Sequence, residues 1–255
     1  TGGSVDNVKL VGAGDADIGF STIDSAVDAV KGVGAYKDTG PQKIQAIAVL
    51  YDSFVHVVAR ADAKIATVAQ IKGKRISVGS AGSSTEAIAD RILEAGGLKP
   101  MKDVTRDNLS VAESTAALKD GKIDAMFWIG GLPTSAITDL VTTGNTKVVF
   151  VPTGNLLPKL NAKYAGLYRG FTMPKTVYAG TPADVPGLGV SNILFVGAEM
   201  KASTVEKILK GIFDNLAEAQ KIHPDAKTLS LGVASAKTGI AFHPAATAFY
   251  KARGA

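Results

Sequence analysis

Apolar positions along the chain switch between helical spacing and short continuous runs, and glycine and proline punctuate them. Apolar residues at 8–11 and 18–20 bracket the acidic turn Gly14-Asp15-Ala16-Asp17, which predicts a helix end followed by a short strand. Gly12-Ala13-Gly14 follows that helix and precedes the strand. A dinucleotide fingerprint needs the reverse context, strand then turn then helix, so these glycines read as a helix stop. Residues 25–31 predict a short helix ending at Gly32, and Gly40-Pro41 turns the chain into an apolar, largely buried strand over 44–51, with another strand over 54–59.

The alternation continues down the chain. Residues 67–71 form one helical turn, 75–78 a strand that runs into Gly79-Ser80-Ala81-Gly82-Ser83-Ser84-Thr85, and 85–95 a helix closed by Gly96-Gly97. Helix over 111–119, strand over 123–129, helix over 133–141 and strand over 146–151 follow. Residues 152–186 break the rhythm with Pro158, Pro174, Pro182 and Pro186, reading as a short helix with irregular connections. A strand over 190–196, an amphipathic helix over 204–219 and a last helix within 239–255 complete the chain.

Strand alternating with helix predicts an α/β fold with parallel sheets. Two such blocks, joined by apolar strands near 55–58 and 190–196, predict two lobes with a hinge and a central cleft. The expected division is 1–66 with 188–255 as one discontinuous lobe, and 67–187 as the other.

Length and composition narrow the classes of function. The 255 residues are 46% hydrophobic and 20% charged, ordinary globular usage able to bury a core. No apolar run approaches the roughly 20 residues that span a bilayer, and the first residues show no signal-peptide pattern. Cysteine is absent, which excludes disulfides, thiolate nucleophiles and Cys-ligated zinc. The net charge of +5 is spread singly, with only Lys72, Lys74 and Arg75 close together, which argues against a nucleic-acid partner.

The segment with most chemical content is Gly79-Ser80-Ala81-Gly82-Ser83-Ser84-Thr85-Glu86. Glycines there permit a tight turn, and free N–H groups at the following helix start point toward an anion. The hydroxyls of Ser80, Ser83, Ser84 and Thr85 add donors suited to reversible capture of a carboxylate. The competing reading is that Ser84 or Thr85 only caps the helix. A P-loop would need a Lys before the final hydroxyl residue, and none stands there. No serine has glycine at both −2 and +2, which argues against a nucleophile elbow. The histidines, His56, His223 and His243, lack metal-ligand spacing, and Asp15 and Asp17 suit a turn better than acid–base work. Trp128, the only tryptophan, precedes Gly130-Gly131-Leu132-Pro133 at the end of an apolar strand, where it either packs in the core or lines a cleft.

Taken together, Gly3-Ser4-Val5-Asp6-Asn7 with Gly14-Asp15-Ala16-Asp17, Leu50-Tyr51, Lys72-Gly73-Lys74-Arg75-Ile76-Ser77-Val78 leading into the glycine–serine segment, Asp120-Gly121-Lys122-Ile123-Asp124-Ala125-Met126-Phe127-Trp128-Ile129-Gly130-Gly131-Leu132-Pro133-Thr134, and Phe242-His243-Pro244-Ala245-Ala246 before Phe249-Tyr250 resemble the TAXI family of TRAP-transporter solute receptors. Their order and spacing cover nearly the whole chain. The resemblance implies a type II periplasmic binding fold and a periplasmic location. It implies no catalysis and no cofactor or metal, and a small carboxylate ligand such as glutamate or 2-oxoglutarate. The partners it implies are TRAP membrane subunits, with the receptor itself monomeric. Carried onto matching positions, ligand contacts fall on Ser80, Ala81, Gly82, Ser83, Ser84 and Thr85, with Trp128, Gly130, Gly131 and Leu132 on the facing edge, and on Tyr51 and Asn155.

Two departures from the family pattern stand out. Gly82-Ser83-Ser84 replaces a commoner Gly-Ser-Gly, which is expected to alter the loop because Ser resists positive φ, and His243-Pro244-Ala245 replaces His-Pro-Gly. Family members also begin with a strand, a glycine- and tyrosine-containing loop and a helix ahead of the segment that starts here at Thr1. The resemblance therefore implies a first lobe lacking an inner strand and one wall of the site, with weak affinity or poor stability. An effector-sensing domain and a small-molecule enzyme on the same fold are the alternatives; the first expects a helix-turn-helix partner, the second a nucleophile–base pair. Arg60, Arg91, Arg106 and Arg169 are the candidates for charge selection.

Overall fold

The computed structural model describes residues 1–143, 146–222 and 224–255. In chain order the elements begin with α1 (Ser4–Ala13), β1 (Ile18–Thr22), α2 (Ile23–Lys31), β2 (Ile44–Arg60), β3 (Arg75–Ser77) and α3 (Ser84–Ala95). They continue with β4 (Thr105–Asp107), α4 (Val111–Lys119), β5 (Ala125–Gly130), α5 (Ser135–Thr142), β6 (Val148–Phe150) and α6 (Leu157–Lys163). Last come β7 (Tyr168–Met173), β8 (Val185–Gly197), α7 (Ala202–Phe213), α8 (Leu216–Ile222), α9 (Leu231–Ala234) and α10 (Pro244–Ala252). Among the described residues no helix is long and apolar enough to cross a membrane.

The chain forms two units, one built from Thr1, Gly3–Asp52 and Ser191–Ala255, the other from Gly2 and Ser53–Val190. The chain passes from one to the other inside β2 and again inside β8. These divisions lie at 52/53 and 190/191, not at the expected 66/67 and 187/188. The reason is that the second half of β2 pairs with β5 and β6, so its contacts belong with theirs.

In the first unit, β1 runs antiparallel to the end of β8, Ile18 opposite Val196 through Thr22 opposite Asn192. The core gathers Ile47 and Ala48 of β2, Leu194 and Val196 of β8, and Val205, Leu209 and Phe213 of α7 with Phe249 and Tyr250 of α10. The spacing of four along α7 puts its three buried residues on one stripe. Gly14 ends α1 in the left-handed region with φ 83°, the helix stop read from the sequence. The helix expected over 204–219 is two, α7 and α8, parted at Asp214 and Asn215. There Asp214 pairs with Arg253 at 2.6 Å, and the Asn215 amide donates back to the Gly211 carbonyl at 2.9 Å.

In the second unit, β3 pairs in parallel with β4 and β5, while β2 runs antiparallel to both β5 and β6, and β7 antiparallel to β8. The sheet is mixed, which corrects the expectation of parallel sheets. Alternating helix and strand fixes a parallel direction only where successive strands become neighbours, and here β2 and β8 insert against strands distant in sequence. The two strands expected at 44–51 and 54–59 are the single strand β2. Asp52, in the gap between those two expected strands, accepts the Ser191 hydroxyl at 2.9 Å. Strand β7 lies inside the proline-rich segment read as irregular, and its pairing with β8 supplies the order that its sequence pattern does not advertise. The core of this unit joins Phe54, Val58, Leu118, Met126, Ile137, Leu140, Met173 and Tyr178.

Candidate functional site

The second unit carries most of the expected site residues. Strands β3 and β5 are parallel neighbours, and β6, antiparallel to β2 as β5 is, points the same way. Their carboxyl ends therefore share one end of the sheet. The turns that leave them are 78–83 after β3, 131–134 after β5 and 151–156 after β6, the position at which open α/β sheets hold ligands.

The first turn is shaped by glycine. Gly79 has φ 91° and Gly82 φ 74°, and a Cβ on Gly79 would stand 2.5 Å from Thr85 Cβ. Both the backbone angle and the close approach of α3 exclude a side chain at 79. Ser83 is the N-cap of α3: its Oγ accepts from the Glu86 N–H at 3.2 Å and donates to the Ser80 carbonyl at 2.6 Å. The capping role considered for Ser84 or Thr85 thus belongs to Ser83. Ser84 and Thr85 occupy the first helical turn with buried side chains, and Ser80 and Ala81 are at the more open part of the turn. Ser84 is helical and Ser83 has φ −93°, so serine in place of the family glycine meets no positive φ, and the expected change of loop geometry does not arise there. Ser77 and Ser114 share a buried hydroxyl bond of 2.7 Å beneath the turn, and the Asn108 amide donates to the Gly79 carbonyl at 3.0 Å.

The second turn is held by Thr134. The half-buried Trp128 donates its indole N–H to Thr134 Oγ1 at 2.9 Å, which in turn donates to the Gly131 carbonyl at 2.9 Å. The indole lies so close over Gly130 that a Cβ there would stand 2.6 Å from Nε1. The Thr134 N–H donates to Tyr178 Oη at 2.8 Å. Trp128 and Leu132 pack against the core of this unit while remaining half-buried, and Gly130 and Gly131 are half-buried beside them. His56, fully buried, places Nε2 3.0 Å from Tyr178 Oη and Nδ1 3.2 Å from the Phe54 carbonyl. Burial pushes its pKa down to about 4, against weaker support from the Phe54 and Trp128 carbonyls, so the ring is neutral at pH 7.

In the third turn Asn155 is exposed. Its neighbour Thr153, which the sequence did not single out, is buried with an Oγ1 that meets no hydrogen-bonding partner among the described residues, while its N–H donates to the Pro186 carbonyl at 3.0 Å. A Thr-Gly-Asn run just after a strand was the available signal.

The arginines are largely engaged within the fold. Arg106, half-buried, bridges Glu86 at 3.0 Å and Asp90 at 2.8 Å. Arg91 donates to Tyr168 Oη at 2.9 Å and stacks over Tyr164 at 4.1 Å. Arg60 pairs with Asp62 and donates to the Leu118 carbonyl. Arg169 is exposed on β7.

In the first unit, Tyr51 is half-buried on β2, its carbonyl accepting from the Asn192 amide at 3.1 Å, and burial raises its phenol pKa above the usual value. A polar cluster that sequence reasoning missed surrounds the start of α2. Thr22 is its N-cap without a side-chain capping bond; its N–H donates to Ser4 Oγ at 3.1 Å. Its Oγ1 is buried and meets no hydrogen-bonding partner among the described residues. Ser25 and Tyr36 share a buried hydroxyl bond of 2.9 Å, and Asp24 is fully buried in the same helical turn. Ser21-Thr22 at a strand–helix junction was the legible signal. Asp15 and Asp17 are exposed in the turn after α1. His243 caps α10, Nδ1 accepting from Ala245 N–H at 3.2 Å and Nε2 donating to the Met200 carbonyl at 3.0 Å. His223 lies outside the described residues.

Among solved structures, the chain is similar to the periplasmic aliphatic sulphonate binding protein SsuA from Escherichia coli, with TM-score 0.50 and 16% identity over 87% of this chain and 62% of that one. It is also similar to a protein of Bordetella bronchiseptica RB50, with TM-score 0.55 and 17% identity over 91% of this chain and 64% of that one. The chain thus spans less than two thirds of the length of either. At these identities the likeness is one of fold, the α/β fold of periplasmic binding proteins. The sequence profile described as the NMT1-like family matches residues 1–254.

Proposed function

The chain belongs to the NMT1-like family, and on that premise we propose that it is an extracytoplasmic solute-binding protein that captures a small carboxylate and delivers it to the membrane subunits of a TRAP-type transporter. The observation that carries the capture is the start of α3. A glycine-shaped turn brings the chain off β3 so that the first turn of a twelve-residue helix, with its N–H groups and the hydroxyls of Ser84 and Thr85, stands at the carboxyl end of the sheet beside the Trp128 turn. Main-chain donors and hydroxyls there favour an anion without a full opposing charge, which suits a ligand that must be released. The TRAP-type assignment is supported by the ordered set of TAXI-like segments along the chain, and the extracytoplasmic location by that resemblance together with the fold. Against chemistry on the ligand stand the engagements of the side chains: Ser83 is spent on its helix, and His56 and His243 are bonded to groups of the fold.

A thermal-shift screen of the purified protein against glutamate, glutamine, 2-oxoglutarate, succinate, methanesulfonate and neutral sugars tests the reading. A ligand that binds only the folded state at a hundred times its Kd adds about 2.7 kcal/mol. The expected result is a rise with one or two carboxylates that Ser84→Ala reduces. A rise with methanesulfonate alone replaces carboxylate by sulfonate, the class named for SsuA. A response to sugars and to no anion overturns the reading.

A further inference from the structure

Behind the Trp128 turn lies a run of hydrogen bonds with one direction. The Phe54 carbonyl can only accept, so the tautomer that satisfies this contact has the proton of the neutral ring on His56 Nδ1 and leaves Nε2 as an acceptor. Tyr178 Oη therefore donates to His56 Nε2 at 3.0 Å, which frees its lone pairs to accept the Thr134 N–H at 2.8 Å. Thr134 in turn fixes the indole of Trp128 and the carbonyl of Gly131 through one hydroxyl. His56 and Tyr178 are fully buried, and Phe150 stacks on Tyr178 at 5.1 Å with the rings 12° apart, so Tyr178 cannot swing to another partner without disturbing the core of its unit.

We propose that Tyr178, held by the Nδ1–H form of His56, is the positioning residue of the ligand-facing turn 130–134: it clamps the Thr134 main chain so that Thr134 Oγ1 holds the Trp128 indole flat over Gly130. The proposal rests on the solute-binding reading only for what the turn faces; the clamp itself is tested without ligand. Ordinary packing of Tyr178 would need no particular histidine tautomer and would not couple a phenol to an indole N–H with which it shares no direct bond.

Because Trp128 is the only tryptophan, a nitrogen–proton correlation spectrum contains one indole resonance, and its solvent exchange reads the clamp directly. Tyr178→Phe is expected to speed that exchange about tenfold, the ratio that one hydrogen bond of ordinary strength carries, and to shift Trp128 emission. His56→Gln, whose amide oxygen can accept from Tyr178 Oη, should stay near the wild-type rate, while His56→Leu should match Tyr178→Phe. Exchange unchanged in Tyr178→Phe overturns the clamp. Should Tyr178→Phe not fold, the contrast of His56→Gln with His56→Leu decides in its place, equal rates in the two overturning the proposal. In the wild-type protein, a nitrogen spectrum of His56 showing the Nε2–H tautomer overturns it as well. A melting shift given by whichever carboxylate acts on the wild type should need about tenfold more of it in Tyr178→Phe; if none of glutamate, 2-oxoglutarate and succinate acts on the wild type, the carboxylate reading falls while the exchange rates still decide the clamp.

Discussion

Helices α2 and α3 both begin directly after a strand or its turn with a hydroxyl residue at the N-cap, and their first turns are satisfied in opposite ways. Ser83 spends both its capacities, accepting from Glu86 N–H and donating to the Ser80 carbonyl. Thr22 leaves its Oγ1 buried and without a partner among the described residues, though its own N–H is held by Ser4. A spent cap contributes stability and has little left for a ligand; an unspent buried hydroxyl costs stability and keeps its hydrogen bond for something else. The same residue class at the same place in a helix is thus satisfied in one unit and left over in the other.

The largest effect expected concerns the engaged groups of the second unit. His56 is neutral and buried, with its pKa lowered from 6.5 to about 4. The unfolded chain then binds a proton that the folded one refuses between those values. Its contribution is complete above pH 6.5 and is lost as pH falls through 6.5 toward 4, about 3 kcal/mol in all. Urea unfolding at pH 7 and pH 4.5 should show a distinctly smaller acid loss in His56→Gln than in the wild type, and equal losses would remove His56 from the acid response.

A smaller effect separates two left-handed glycines. Gly79→Ala meets both φ 91° and Thr85 at 2.5 Å, and should cost about 2–3 kcal/mol from backbone strain and overpacking. Gly14→Ala, with φ 83° and open space around it, carries the backbone term alone, about 1 kcal/mol. Denaturation midpoints in that order would confirm that the turn before α3 is a close approach as well as a turn.

The smallest effects bear on the caps themselves. Ser83→Ala should cost about 1 kcal/mol. Thr22→Val keeps the shape and removes a buried unsatisfied hydroxyl, so it should fall within about 0.5 kcal/mol of wild type or stabilise slightly. If Thr22→Val instead destabilised as much as Ser83→Ala, the Thr22 hydroxyl would be spent on the fold just as that of Ser83 is, and the contrast would collapse.

Much of the fold could be read from the sequence because period and punctuation are local. Gly14 and Gly32 stop their helices where glycine predicts, and the glycine–serine segment lies between β3 and α3. Strand direction was not legible: that β5 lies parallel to β3 on one side and antiparallel to β2 on the other depends on partners dozens of residues away. The division between Ser83 as cap and Ser84 as first helical residue also escaped reading, since either hydroxyl satisfies the same sequence signature. Thr22 and Thr153 were missed for a related reason. What marks them is a missing partner, and a sequence pattern records which groups are present but not which are left over.

The placement of β8 orders the making of the molecule. Apart from Gly2 the second unit is a single stretch, Ser53–Val190, so its strands and helices all come from one continuous segment. Strand β1 must pair Ile18 with Val196, and the core under it draws on α7 and α10. Residues 18–22 therefore cannot complete their pairing before residues 192–196 are present, and the longest-range strand closure that the fold requires lies in the first unit.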